Sequence, residues 1–69
     1  MEFTEVSSSN IAGVSYDSNH CLFVKFTNGS VYVYEDVPVS VFSGLLDAES
    51  KGKFFAANIK NNYSYRKES

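Results

Sequence analysis

The last nineteen residues hold most of the positive charge. Residues 51–69 carry Lys51, Lys53, Lys60, Arg66 and Lys67 against Glu68 alone, a net +4. Basic side chains gathered this way can grip a phosphate-bearing ligand. The Ser50-Lys51-Gly52-Lys53 turn would bring two lysines to the backbone N–H groups and positive dipole end of a following helix. Lys60, Tyr63, Tyr65 and Arg66 interleave cations and rings among the amides of Asn58, Asn61 and Asn62. Such a mixture suits single-stranded nucleic acid or a nucleotide. A solvated helix–helix turn and basic tail would account for the same charges. Tyr32 and Tyr34 are the other candidates. On an open sheet face they could stack bases, worth about 1–3 kcal/mol each; beneath helices they would be core, with hydroxyls at the rim of a pocket.

Catalysis lacks parts. His20 is the only histidine and adjoins the only cysteine, Cys21. Neighbours on a strand point to opposite faces, so they make a poor nucleophile–base pair. One Cys and one His cannot close a zinc site. Ser7-Ser-Ser has no base partner, and Gly44 and Gly52 stand too far apart for a phosphate loop. The expectation is a protein that is not an enzyme and carries no cofactor and no metal.

A scaffold must position these groups. Sixty-nine residues make one domain, which buries only about 60% of its unfolded surface. Five Tyr and six Phe supply large rings for the core. A lone cysteine forms no internal disulfide, so Cys21 reads as a small apolar filler in a reducing compartment. Met1-Glu-Phe-Thr-Glu lacks the basic and apolar regions of a secretory leader. No apolar run approaches the ~18 residues of a membrane span. A cytoplasmic protein without membrane partners is expected.

Residues 11–17, 21–27 and 31–37 read as strands, and 2–7 as a further short extended segment. Leu22, Val24 and Phe26 alternate cleanly. The Asn28-Gly29 turn then decides which face the tyrosines take. A two-residue loop pairs Phe26 with Val31 and drives Glu35 onto the apolar face. A three-residue loop with Gly29 left-handed pairs Phe26 with Ser30 and sets Tyr32 and Tyr34 beside Leu22, Val24 and Phe26. The second is favoured. Phe23, Val31 and Val33 then share the outer face with Lys25 and Glu35, and form a candidate surface for self-association. Pro38 opens a helix bearing Val41, Phe42, Leu45 and Leu46. Gly44 weakens it by roughly 1 kcal/mol relative to alanine. Ser50 or Lys51 ends it, and Gly52 supplies a tight turn. A second helix follows over 53–63, with Phe55, Ile59 and Tyr63 on one side, and the tail frays beyond Tyr65. The predicted fold is α+β, a three- to four-stranded antiparallel meander with two C-terminal helices packed on one face.

The ordered set of residues resembles the KTSC domain. The resemblance runs over about residues 6–66, through Ser8, Ile11, Gly13-x-x-Tyr16-Asp17 and Leu22-x-Val24-x-Phe26-x-x-Gly29-x-x-Tyr32-x-Tyr34. It continues through Val37-Pro38, Leu45-Leu46-x-Ala48-x-Ser50-x-Gly52-x-Phe54-Phe55 and Ile59-Lys60-x-x-Tyr63. That domain occurs at the C-terminus of some lysyl-tRNA synthetases and in free-standing small proteins, and the resemblance implies RNA binding.

Together these readings lead to a binding module for RNA or a small nucleotide. Lys51, Gly52, Lys53, Lys60, Tyr63 and Arg66, with Tyr32 and Tyr34, are the ligand-binding candidates. For RNA, affinity should fall steeply with salt as lysine–phosphate contacts release counterions. The alternative is a protein-interaction or homo-oligomeric module, or an oligomer that sequesters a small nucleotide signal.

Overall fold

Alternation along Leu22–Phe26 sets one apolar face of a sheet, and its neighbours build on that face. The computed structural model describes residues 4–5 and 10–68. β1 (Thr4–Glu5), β2 (Ile11–Tyr16), β3 (Leu22–Phe26) and β4 (Val31–Tyr34) form an antiparallel meander. The rest of the extended segment expected over 2–7, and the Ser7-Ser-Ser run, lie outside the described residues. Two helices follow, α1 (Val39–Asp47) and α2 (Lys51–Asn58), and a last strand, β5 (Tyr65–Lys67), pairs with β4. The fold is therefore α+β, with both helices on one face of the sheet, as the pattern predicts.

The hairpin takes the three-residue loop. Leu22 pairs with Tyr34 and Val24 with Tyr32. The Phe26 amide donates to the Ser30 carbonyl at 2.8 Å, and Gly29 has φ +92°. The Asn28 side chain accepts from the Ser30 amide at 2.9 Å, holding the turn. Ile11, Val14, Leu22, Val24 and Tyr34 thus face Val37, Leu45, Phe55 and Ile59 in one buried cluster. A register shift between Ile11 and Gly13 bulges β2 against β3, so Ile11 still meets Phe26. Tyr16 ties β2 to the connection before α1. Its hydroxyl donates to the Val37 carbonyl and its ring stacks on Phe42 at 4.9 Å.

Several boundaries differ from the sequence reading, and β4 ends at Tyr34 rather than at 37. Pro38 stands just outside α1 as its N-cap, where the absent N–H is again harmless. α1 stops at Asp47, and Ser50, expected to end it, instead starts α2, its hydroxyl accepting from the Lys53 amide at 3.3 Å. Gly52 therefore lies inside α2 rather than in a turn. α2 ends at Asn58, short of 63. The Asn58 and Asn62 amides donate to the carbonyls of Phe54 (3.2 Å) and Asn58 (2.9 Å), satisfying groups that a helix end leaves open. Finally, the tail does not fray beyond Tyr65. The Glu35 amide donates to the Ser64 carbonyl (2.9 Å) and the Glu68 amide to Val31 (2.7 Å), which fastens β5 along β4.

Gly44 has a packing reason. A Cβ there would come within 2.9 Å of the Phe54 ring, so the glycine lets α2 lie close against α1.

Candidate functional site

Tyr34 and Tyr65 are direct partners across β4 and β5, as are Tyr32 and Lys67. Cross-strand partners share a face, so Tyr65 joins the two β4 tyrosines on the helix side. α2 brings Phe55 against them, and β3 supplies Phe26. The five rings close a circuit. Centroid distances are 5.5 Å for Phe26–Tyr32, 5.8 Å for Tyr32–Tyr65 and 5.4 Å for Tyr65–Tyr34. They are 5.3 Å for Tyr34–Phe55 and 5.6 Å for Phe55–Phe26. Tyr34 and Phe55 are the buried floor, at 3% and 6% exposure, whereas Tyr65 is 57% exposed. Phe26 and Tyr32 are half-buried. Edge-to-face contacts join Phe55 to Phe26 and Tyr34, and Tyr65 stacks on Tyr34, both favourable arrangements of ring quadrupoles.

A hollow of about 360 Å³ opens over these rings, completed by Asn28, Ser30, Lys60 and Asn61. A second, of about 290 Å³, adjoins it and is lined by Asn10, Ile11, Thr27, Gly52 and Ala56. Phe26, Asn28, Phe55 and Lys60 line both, so the two make one groove between the hairpin end of the sheet and α2. Among the described residues Lys60 is the one charged residue in either lining, and none of those lining residues is a carboxylate. Among the described residues its ammonium forms no ion pair. Burial, then the neighbouring hydroxyls of Tyr65 and Tyr32, pushes the Tyr34 phenol up to about 12. Its O–H stays protonated at neutral pH.

The groove gathers Tyr32, Tyr34, Gly52 and Lys60 from the candidates and leaves four outside. Lys51 donates to the Ala48 carbonyl at 2.7 Å and so caps α1. Lys53 lies outside the groove, exposed, with its backbone N–H donating to the Ser50 hydroxyl. Tyr63 packs half-buried against the core. Arg66 lies on the opposite sheet face, across from Val33, and pairs with Glu35 and Glu68, each at 3.4 Å. Of the outer apolar trio, Phe23 and Val31 are half-buried and Val33 is wholly buried. Val33 is therefore no part of an open self-association surface. Its direct partners are Phe23 and Arg66, one on each side, because β5 adds a strand the sequence reading had not provided.

Phe26, Asn28 and Phe55 are the lining residues outside the candidate set that matter most. Phe26 and Phe55 read as ordinary core from their spacing, and nothing local marks them as walls of a groove. Tyr65 carried a signal: Tyr63-Ser-Tyr65 alternates and is rich in strand formers.

His20 and Cys21 do not meet productively. His20, exposed with φ +64°, packs edge-on to Tyr16 at 6.3 Å, while Cys21 contacts the Asn19 carbonyl at 4.0 Å. Burial, then the Asp17 carboxylate, raises the Cys21 thiol and keeps it protonated. Among the described residues no group of three or more His, Cys, Asp or Glu side chains could hold a metal ion, and no helix is long and apolar enough to cross a membrane.

The sequence pattern of the KTSC domain matches residues 7–63. A protein of Tsukamurella paurometabola is 43% identical over 56 residues, covering 80% of this chain and 84% of that protein. An uncharacterized protein of Stutzerimonas stutzeri is 36% identical over 67 residues, 94% of each chain. The crystal structure of a KTSC domain protein from Yersinia pestis superposes with a TM-score of 0.92 at 36% identity, over 99% of this chain and 97% of that one.

Proposed function

The chain belongs to the KTSC domain family, and we propose that this member is a non-enzymatic binding module that holds a nucleotide unit, free or in RNA, in the groove beside Lys60. The observation that carries this reading is one lysine set against an aromatic wall with no carboxylate among the described lining residues. Five rings alone would equally suit a cationic ligand, which aromatic faces attract. Lys60 would repel such a ligand, and no acid among the described lining residues offsets it. A base with a phosphate satisfies both halves. The flat base lies on half-buried Tyr32 and exposed Tyr65, and the phosphate meets Lys60. Asn28, Ser30 and Asn61 offer donors and acceptors for the base or sugar edges. Tyr34, held neutral, adds no opposing charge.

The anion site thus moves from the Ser50–Lys53 turn to the groove, and shrinks to one principal cation. Isothermal titration calorimetry with adenosine monophosphate and a short single-stranded RNA tests the reading. Lys60→Glu should abolish binding of both, while Lys53→Glu should leave it nearly unchanged. Loss with Lys53→Glu and retention with Lys60→Glu would overturn it.

A further inference from the structure

Lys60 lines both hollows, and the two differ in chemistry. One is walled by Tyr32 and Tyr65. The other is lined by Asn10, Ile11, Thr27, Gly52 and Ala56 and, among the described residues, has no ring beyond the shared Phe26 and Phe55. Their volumes, about 360 and about 290 Å³, each sit near the lower end of the 300–1,000 Å³ typical of ligand pockets. Each therefore suits one unit of a ligand rather than a whole elongated one. A cation shared by two compartments is well placed for a charge that joins two units.

We propose that the groove is a dinucleotide site: one base stacks in the tyrosine-walled hollow, the linking phosphodiester lies at Lys60, and the second nucleoside occupies the hollow beside Gly52 and Ala56. This rests on the nucleotide reading above and adds the ligand's length and polarity of placement. A phosphodiester carries a single charge, matched by the single lysine. The second hollow, lacking an open ring wall, contributes shape and hydrogen bonding rather than stacking, so it discriminates less between bases. The ligand's chemistry is a dinucleoside phosphate, whether a step within single-stranded RNA or a free dinucleotide.

The test compares adenosine monophosphate, the dinucleoside monophosphate ApA and a hexa-adenylate by calorimetry on the full chain. ApA should bind one per site, about 2- to 12-fold tighter than the mononucleotide, the net gain expected from a hydrogen bond in the second hollow. Ala56 is exposed, so Ala56→Leu can fill the second hollow without disturbing the core. It should bring ApA affinity down to that of the mononucleotide. Hexa-adenylate binding as tightly as ApA would assign the site to RNA, and weaker binding to a free dinucleotide; either fits the proposal. Equal affinity for ApA and the mononucleotide, or an ApA advantage that survives Ala56→Leu, overturns the two-compartment site while the nucleotide reading stands. No binding of any of the three overturns both.

Discussion

Tyr65 is the most exposed ring of the aromatic circuit, and its loss should separate binding from folding. Tyr65→Ala removes a stacking surface worth about 1–3 kcal/mol, so nucleotide affinity should fall about 5- to 150-fold in a calorimetric titration. Its 57% exposure means little buried area is lost, and the thermal midpoint should move only a few degrees. Tyr34 is the opposite case, a floor residue that reports on stability. Its phenol is pushed up to about 12 from an ordinary value of 10. A group whose folded pKa is raised contributes stability that is full below the unfolded pKa and lost as pH climbs toward the folded one. Urea unfolding should therefore show stability falling between about pH 10 and pH 12, and Tyr34→Phe should flatten that fall. These two tyrosines show why residue type alone misleads. Tyr32 and Tyr34 stood out in the sequence because they sit two apart on a strand, yet Tyr34 is almost wholly buried. Tyr65 sat in a basic tail that composition read as loose.

The elements were legible where pattern and chemistry agreed. The hairpin register followed from one physical conflict, since a two-residue loop would have put Glu35 on the apolar face. Gly29 then takes φ +92° with open space around it, so Gly29→Ala should cost about 1 kcal/mol through backbone conformation alone. The helix boundaries were less legible because Ser50 and Gly52 both offer local signals. The cap at Ser50 prevailed, and Gly52 became helical. Gly44 looked like a weak point in α1 and is instead the contact that admits Phe54. Gly44→Val should destabilise by about 1–3 kcal/mol in chemical denaturation, and Phe54→Ala should relieve much of that cost in a double-mutant cycle. β5 was hidden because its stability comes from pairing with β4, a contact some thirty residues distant that no window of sequence reports. The Glu68 amide, bonded to Val31, should accordingly be protected in hydrogen exchange, where a frayed tail would exchange freely.

At the scale of the whole molecule, the charge split foretold less than it promised. The C-terminal +4 is real, but the fold spends it in several places: Lys51 on a helix cap, Arg66 on Glu35 and Glu68 across the sheet, and Lys53 in solvent. What converges on the groove is Lys60, together with rings from three strands and one helix. The expectation of a steep salt dependence changes with it. One lysine–phosphate contact gives a logarithmic slope of roughly −0.7 for a single strand, and Lys60→Gln should bring it near zero. The central claim, that the groove around Lys60 is where a nucleotide is held, is tested most directly by titrating adenosine monophosphate into the isotope-labelled protein and following its amide resonances. The account predicts shifts concentrated at Tyr32, Lys60, Asn61 and Tyr65, lost in Lys60→Glu. Shifts centred on Lys51 and Lys53, or none at millimolar nucleotide, would contradict it.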